Sequence, residues 1–142
     1  MPANKHNHIK VVQILLLLAS LVSCQSEPDP AAVGSFGSLR QFHVAFIDTY
    51  TAGPSKQWDD VKLQADIDRG ETLFNSAMGG VTDKKRAEAL NILHRQFQKD
   101  YAFLKQRAKE SKPFFSVTMA QEKKQVIQEN YDLATKGELV RF

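Results

Sequence analysis

Residues 84–110 read KKRAEALNILHRQFQKDYAFLKQRAKE, and this segment is the clearest indication of the fold class. Its large apolar side chains recur at steps of three and four residues, which is the spacing of one face of an α-helix. Thr82 or Asp83 can cap the start of this helix, and SKP at 111–113 ends it. At 1.5 Å per residue the helix would be roughly 40 Å long, the longest element of the domain. The residues of the stripe are Leu90, Leu93, Phe97, Tyr101, Leu104 and Ala108.

Three other segments carry the same helical spacing. TAGPS at 51–55 and GG at 79–80 interrupt the pattern, and Thr118 with Gln121 can form a capping box for the last segment. Because no segment alternates as a β-strand does, we predict an all-α fold, an antiparallel up-down bundle of about four helices. The stripes are Phe36, Leu39, His43, Phe46 and Tyr50, then Leu63, Ile67, Gly70, Phe74 and Ala77, then Ala120, Ile127, Tyr131 and Ala134.

Gly70 lies inside the stripe of the second predicted helix. A glycine in a helix interior costs about 1 kcal/mol relative to alanine. Its position therefore predicts either the close approach of a neighbouring helix or a break in the second helix. At the carboxyl end, ELVRF at 138–142 is apolar enough to fold back onto the bundle.

The first 23 residues have the pattern of an export signal. Lys5 and Lys10 give a positive start, and the uninterrupted apolar core at 14–18 is too short for a transmembrane helix of about 20 residues. The run ends in LVSC at 21–24, which resembles the lipobox of bacterial lipoprotein precursors. The resemblance implies that Cys24 receives a diacylglyceryl group and becomes the first residue of the mature protein. It predicts a bacterial envelope location with a lipid anchor, for which we expect the outer membrane.

We therefore divide the chain into a signal peptide (1–23), a lipidated cysteine with a flexible tether (24–35), and a helical-bundle domain (36–142). Removing two lysines with the signal leaves 17 of the 19 basic residues against 16 acidic ones. This balance excludes the strongly basic footprint of a nucleic-acid-binding domain. Because Cys24 is the single cysteine, its lipidation leaves no thiol for a disulfide or a cysteine-ligated metal.

His43 lies near the centre of the first apolar stripe. A buried imidazole must find hydrogen-bond partners or carry a cost of about one to a few kcal/mol. We interpret His43 as a core polar residue, and the alternative is that it binds a noncovalent haem or a metal ion. The expected hydrogen-bond partners are Tyr50, Tyr101 and Tyr131. The candidates for a second axial ligand are His94, Met78 and Met119.

Ala89, Ile92 and Phe103 lie on the face of the third helix that is opposite its main stripe. Ile92 and Phe103 are eleven residues apart, about three turns, and so project from the same face. The fourth helix, a second copy of the chain or another protein could cover them. If the face is exposed, it is the predicted partner site.

The expected mature chain contains no pattern that indicates catalysis: no glycine-rich phosphate loop, no nucleophile elbow and no metal-spaced histidine cluster. We therefore predict a lipid-anchored, non-catalytic binding or accessory module with no metal or other cofactor. Its expected partners are the membrane, an envelope protein or a second copy of the chain. The alternative function is a haem or metal carrier that uses His43.

Overall fold

The computed structural model describes residues 30–140. This range forms four α-helices and no β-strand, which confirms the predicted all-α class. The helices are α1 (Pro30–Thr49), α2 (Asp60–Gly79), α3 (Lys84–Lys109) and α4 (Val117–Lys136). None of the helices in this range is both long and apolar enough to cross a membrane.

Two helix starts differ from the sequence prediction. Helix α1 begins at Pro30, so residues 30–35 of the predicted flexible tether are helical. Proline suits the first helical position, and the alanines that follow it are the strongest helix formers. Helix α4 is capped by Ser116, which accepts a hydrogen bond from the Met119 backbone N–H at 3.2 Å. The predicted capping box at Thr118 is wrong because Thr118 already lies inside the helix.

The helices run antiparallel to their neighbours. On α1 and α4, Arg40 pairs with Asp132 at 2.8 Å, and Asp48 pairs with Lys124 at 2.7 Å. An advance of eight residues along α1 therefore moves the contact eight residues back along α4, so the two helices run in opposite directions. Polar contacts relate α2 to α3 and α3 to α4 in the same way, and α1 packs against α4 to close the bundle. The predicted up-down bundle is confirmed.

Aromatic rings fill the centre of the bundle around Phe97. A side-chain carbon built on Gly70 would lie 2.4 Å from the Phe97 ring and 2.8 Å from the Phe42 ring. Helix α2 nevertheless continues without a break to Gly79. The close approach predicted at Gly70 is therefore confirmed, and the predicted alternative of a helix break is wrong.

The two ends of the bundle differ. At the end where α1 finishes, the α1–α2 and α3–α4 connections are joined, since Phe115 N donates to Tyr50 O and Ala52 N donates to Phe115 O. We call this the tied end. At the other end, where α1 begins, Leu139 packs against the core while Val140 is exposed. The described part of the ELVRF segment thus places one apolar side chain on the bundle.

Candidate functional site

His43 lies in the core, where its imidazole contacts the carboxylate of Asp100 on α3. Its side chain is fully buried, and Nε2 is 3.0 Å from Oδ2 of Asp100, which is also buried. Carboxylates are almost never buried without a partner, because desolvation of the charge is costly. Burial of this pair therefore carries the largest desolvation cost among the polar side chains of the described core.

Lys123 on α4 completes the arrangement. Its Nζ lies 2.5 Å from the second Asp100 oxygen, and its side chain is 27% exposed. The ammonium also lies over the rings of Phe103 and Phe115, at 5.7 and 5.4 Å from their centroids. The His43–Asp100–Lys123 cluster thus links α1, α3 and α4 through one carboxylate.

The sequence prediction of a core polar histidine agrees with this burial, but the predicted tyrosine partners are wrong. Tyr131 packs edge-on to His43 with its centroid 6.2 Å away, yet its hydroxyl has no hydrogen-bond partner. His43 Nδ1 is likewise unpartnered. Burial raises the pKa of Tyr131 far above its ordinary value, so the phenol stays neutral.

Tyr50 and Tyr101 bind acids on α2 instead. Tyr50 donates to Asp66 at 2.7 Å, and Tyr101 donates to Glu71 at 3.1 Å. Burial and the neighbouring carboxylate raise the pKa of each of these tyrosines. Burial also opposes ionisation of Asp66, but hydrogen bonds from Lys62 and Tyr50 outweigh it and lower the pKa of this carboxyl.

The candidate axial ligands do not surround a common cavity with His43. His94 bonds to Glu71 at 2.7 Å and stacks on Phe74 with a centroid distance of 5.0 Å. The ring centroids of Phe74 and Phe97 are 5.6 Å apart, and these two rings form a continuous series of ring contacts from His94 to His43. Met78 and Met119 pack against the core from other positions. A haem between the two histidines would have to displace both phenylalanines and the Asp100 carboxylate.

The predicted partner face on α3 is largely covered by the chain itself. Ala89 is buried, and Phe103 stacks on Phe115 with a centroid distance of 5.6 Å and an interplanar angle of 4°. Ile92 is half-buried. Of the three predicted residues, Ala89 is buried, whereas Ile92 and Phe103 both remain half-buried.

The Asn130–Gln96 hydrogen bond joins α4 to α3 one turn from Ile92, and two apolar residues on that side of α4 are exposed. Val126 is 48% exposed and Leu133 is 36% exposed, and they are separated by two helical turns. We call Ile92, Val126 and Leu133 the α3–α4 strip. The α4 stripe read from the sequence omits Val126 and Leu133, because their proximity to Ile92 arises only when the two helices pack.

The open cavities of the described surface include two of several hundred cubic ångströms. One of about 320 Å³ lies at the tied end, beside Tyr50, Lys56 and Phe114. The other, of about 710 Å³, lies between α1 and α4 and is crossed by the Arg40–Asp132 ion pair. Neither is lined by a residue of the His43–Asp100–Lys123 cluster.

Within residues 30–140, no group of three or more His, Asp, Glu or Cys side chains is arranged to hold a metal ion. Cys24, the predicted lipid attachment site, lies outside the described residues. Comparisons with protein-family models, with curated proteins and with solved structures found no match to this chain.

Proposed function

We propose that this chain is a lipid-anchored lipoprotein of the bacterial envelope, at the outer membrane, whose helical bundle acts as a non-catalytic binding or accessory module. The observation that carries the anchor is LVSC at 21–24, which follows two lysines and a short apolar run. Two or three acyl chains on Cys24 would hold the protein on a bilayer persistently, because each buried methylene contributes about 0.8 kcal/mol.

The geometry supports binding rather than catalysis. The most deeply buried cluster of titratable groups in the described residues, His43–Asp100–Lys123, has its histidine closed off from solvent and its carboxylate bonded on both oxygens. A catalytic group must reach a substrate, which this histidine cannot do without opening the core. The accessible features are a surface strip and open cavities, which suit contact with a partner.

The alternative of a haem or metal carrier is less well supported. His43 Nε2 faces the Asp100 carboxylate, and Nδ1, although unpartnered, lies in the closed core. Its ring is packed edge-on against Phe97 and Tyr131.

Helix α1 begins at Pro30 and is 20 residues long, so it spans about 30 Å from one end of the bundle to the other. The tied end, where the rings of Trp58 and Phe114 meet edge-to-face, lies opposite the end at which α1 begins.

Fractionation of cells that express the wild type or Cys24→Ala tests the proposal. We expect the wild type in the membrane fraction, labelled by radioactive palmitate, and the variant without label. The variant retains every helix-forming residue and therefore serves as the matched control for folding. Equal labelling of both proteins, or absence of label from both, would refute the lipid anchor.

A further inference from the structure

We propose that Lys123 and Asp100 are a site of covalent self-modification, at which an amide bond forms between their side chains and cross-links α4 to α3. The proposal goes beyond the proposed binding function and does not depend on the lipid anchor, because both residues lie in the bundle. It rests on three observations: an amine in contact with a carboxyl group, a hydrogen-bond donor on the other carboxyl oxygen, and the burial of that carboxyl group.

The amine of Lys123 is the nucleophile. Its Nζ lies 2.5 Å from Oδ1 of Asp100. The carbon Cγ lies one C–O bond beyond this oxygen, so Nζ is less than about 4 Å from the carbon that it would attack. Reacting atoms that are held roughly 3–3.5 Å apart gain an effective molarity of up to about 10⁵–10⁸ M. An amine and a carboxyl group that react slowly in solution can therefore react in a fold that keeps them in contact.

His43 supplies the hydrogen bond that this reaction needs. Its Nε2 lies 3.0 Å from Oδ2 of Asp100, the oxygen that Lys123 does not contact. Because a carboxylate oxygen only accepts, Nε2 carries the proton. Nδ1 is buried with no hydrogen-bond partner, which fits a nitrogen without a proton. When Nζ attacks Cγ, negative charge gathers on Oδ2, and the Nε2–H group of His43 is already directed at this oxygen.

The reaction is a condensation that needs no other reactant. Lys123 enters as an ammonium and Asp100 as a carboxylate, and transfer of one proton between them leaves an amine and a carboxylic acid. The nitrogen lone pair forms the Nζ–Cγ bond, the Cγ–Oδ1 bond breaks, and Oδ1 leaves as water with two protons from the ammonium. Oδ2 becomes the amide oxygen and keeps its hydrogen bond from His43. The partly exposed side chain of Lys123 gives the water a route to solvent.

The surroundings of the pair favour the amide. Asp100 is buried, and the Lys123 ammonium lies over the rings of Phe103 and Phe115. Condensation replaces two charges by a neutral amide, so the desolvation cost of the buried carboxylate disappears. Exclusion of water from the core also opposes the reverse reaction, which is hydrolysis.

Two other lysine–aspartate pairs in the described range lack these surroundings. Lys62 lies 2.5 Å from Asp66, and Lys124 lies 2.7 Å from Asp48. The side chains of these four residues are between 26% and 54% exposed, whereas the Asp100 side chain is 4% exposed. No histidine bonds to either of these two aspartates. Both pairs therefore serve as internal controls, in which we expect ion pairing without an amide bond.

Mass spectrometry of the full chain, purified from its native envelope and digested with trypsin, tests the proposal. We expect two peptides joined through residues 100 and 123, with a mass lower by one water than the sum of the separate peptides. Lys123→Arg is the matched control, because a guanidinium keeps the ion pair with Asp100 but cannot be deprotonated to a nucleophile. Separate peptides in the wild type, the same linkage in Lys123→Arg, or equal linkage at the two control pairs would overturn the proposal.

A time course tests the role of His43. After cell-free synthesis of the full chain, the linked form should run faster on a denaturing gel, because the loop between residues 100 and 123 is closed. Removal of one such donor slows a reaction by about 10²–10³-fold, so we expect this loss of rate in His43→Leu. His43→Gln keeps an N–H donor and should recover part of the rate. Equal rates in the wild type and His43→Leu would overturn the role of His43. Circular dichroism separates loss of fold from loss of rate, and the wild-type mass decides whether the amide forms even where a variant unfolds.

Discussion

Replacement of Asp100 by alanine should destabilise the bundle more than almost any other single substitution. It removes the carboxylate that bonds both His43 and Lys123, and it leaves the fully buried imidazole without a partner on either nitrogen. Lys123 can turn toward water because its side chain is partly exposed. Breaking a buried ionic pair by removing one partner costs about 3–5 kcal/mol, a large share of the roughly 5–15 kcal/mol that stabilises a domain.

Two further variants test whether the buried His43–Asp100 pair is the cause of this loss of stability. Asp100→Asn keeps the shape and the capacity to hydrogen-bond, so we expect a loss of about 1–2 kcal/mol. The double variant His43→Leu with Asp100→Leu replaces the pair by apolar groups and should recover most of the stability. Urea unfolding followed by circular dichroism gives the free energies. A loss below about 1 kcal/mol in Asp100→Ala, or a double variant no more stable than it, would refute the role assigned to the pair.

Gly70→Ala should lower the free energy of unfolding by up to about 2 kcal/mol, because a methyl group clashing with Phe97 outweighs the gain in helix propensity. Gly37→Ala on α1, where nothing lies within 4 Å, should instead raise it by up to about 1 kcal/mol, and thermal unfolding of the two variants checks this opposite sign. Because the pKa of Asp66 is lowered in the folded state, its carboxylate contributes to the free energy of unfolding above its ordinary pKa of 3.8. This contribution is lost as pH falls through the folded-state pKa. Asp66→Asn should therefore flatten the decline of stability below about pH 4 in acid titrations.

The helices were predictable from the sequence because each buries one face against the others. The stripe residue Phe97 and the close approach at Gly70 follow from spacing alone. Asp100 was missed although it stands three residues after Phe97 and four before Leu104, the spacing of a buried position. Its charge favours a solvent-exposed position when the sequence is read alone. Only the packing of α1 and α4 against α3 shows that His43 and Lys123 contact this carboxylate.

The partner surface could not be found from a single helix. Phe103 has the spacing of an exposed residue on α3, but Phe115, from the connection before α4, stacks on it and leaves it half-buried. Val126 and Leu133 interrupt a polar face and look like isolated apolar residues in the sequence. They form a strip with Ile92 only through the register between α3 and α4, which periodicity within one helix does not encode.

Mass spectrometry of the amino-terminal peptide of the mature protein, purified from its native envelope, is the decisive test of the lipid anchor. We expect a peptide that begins at Cys24 and carries a diacylglyceryl group on the thiol. A peptide that begins at any other residue, or an unmodified Cys24 thiol in the membrane-bound protein, would show that the chain is not anchored in this way.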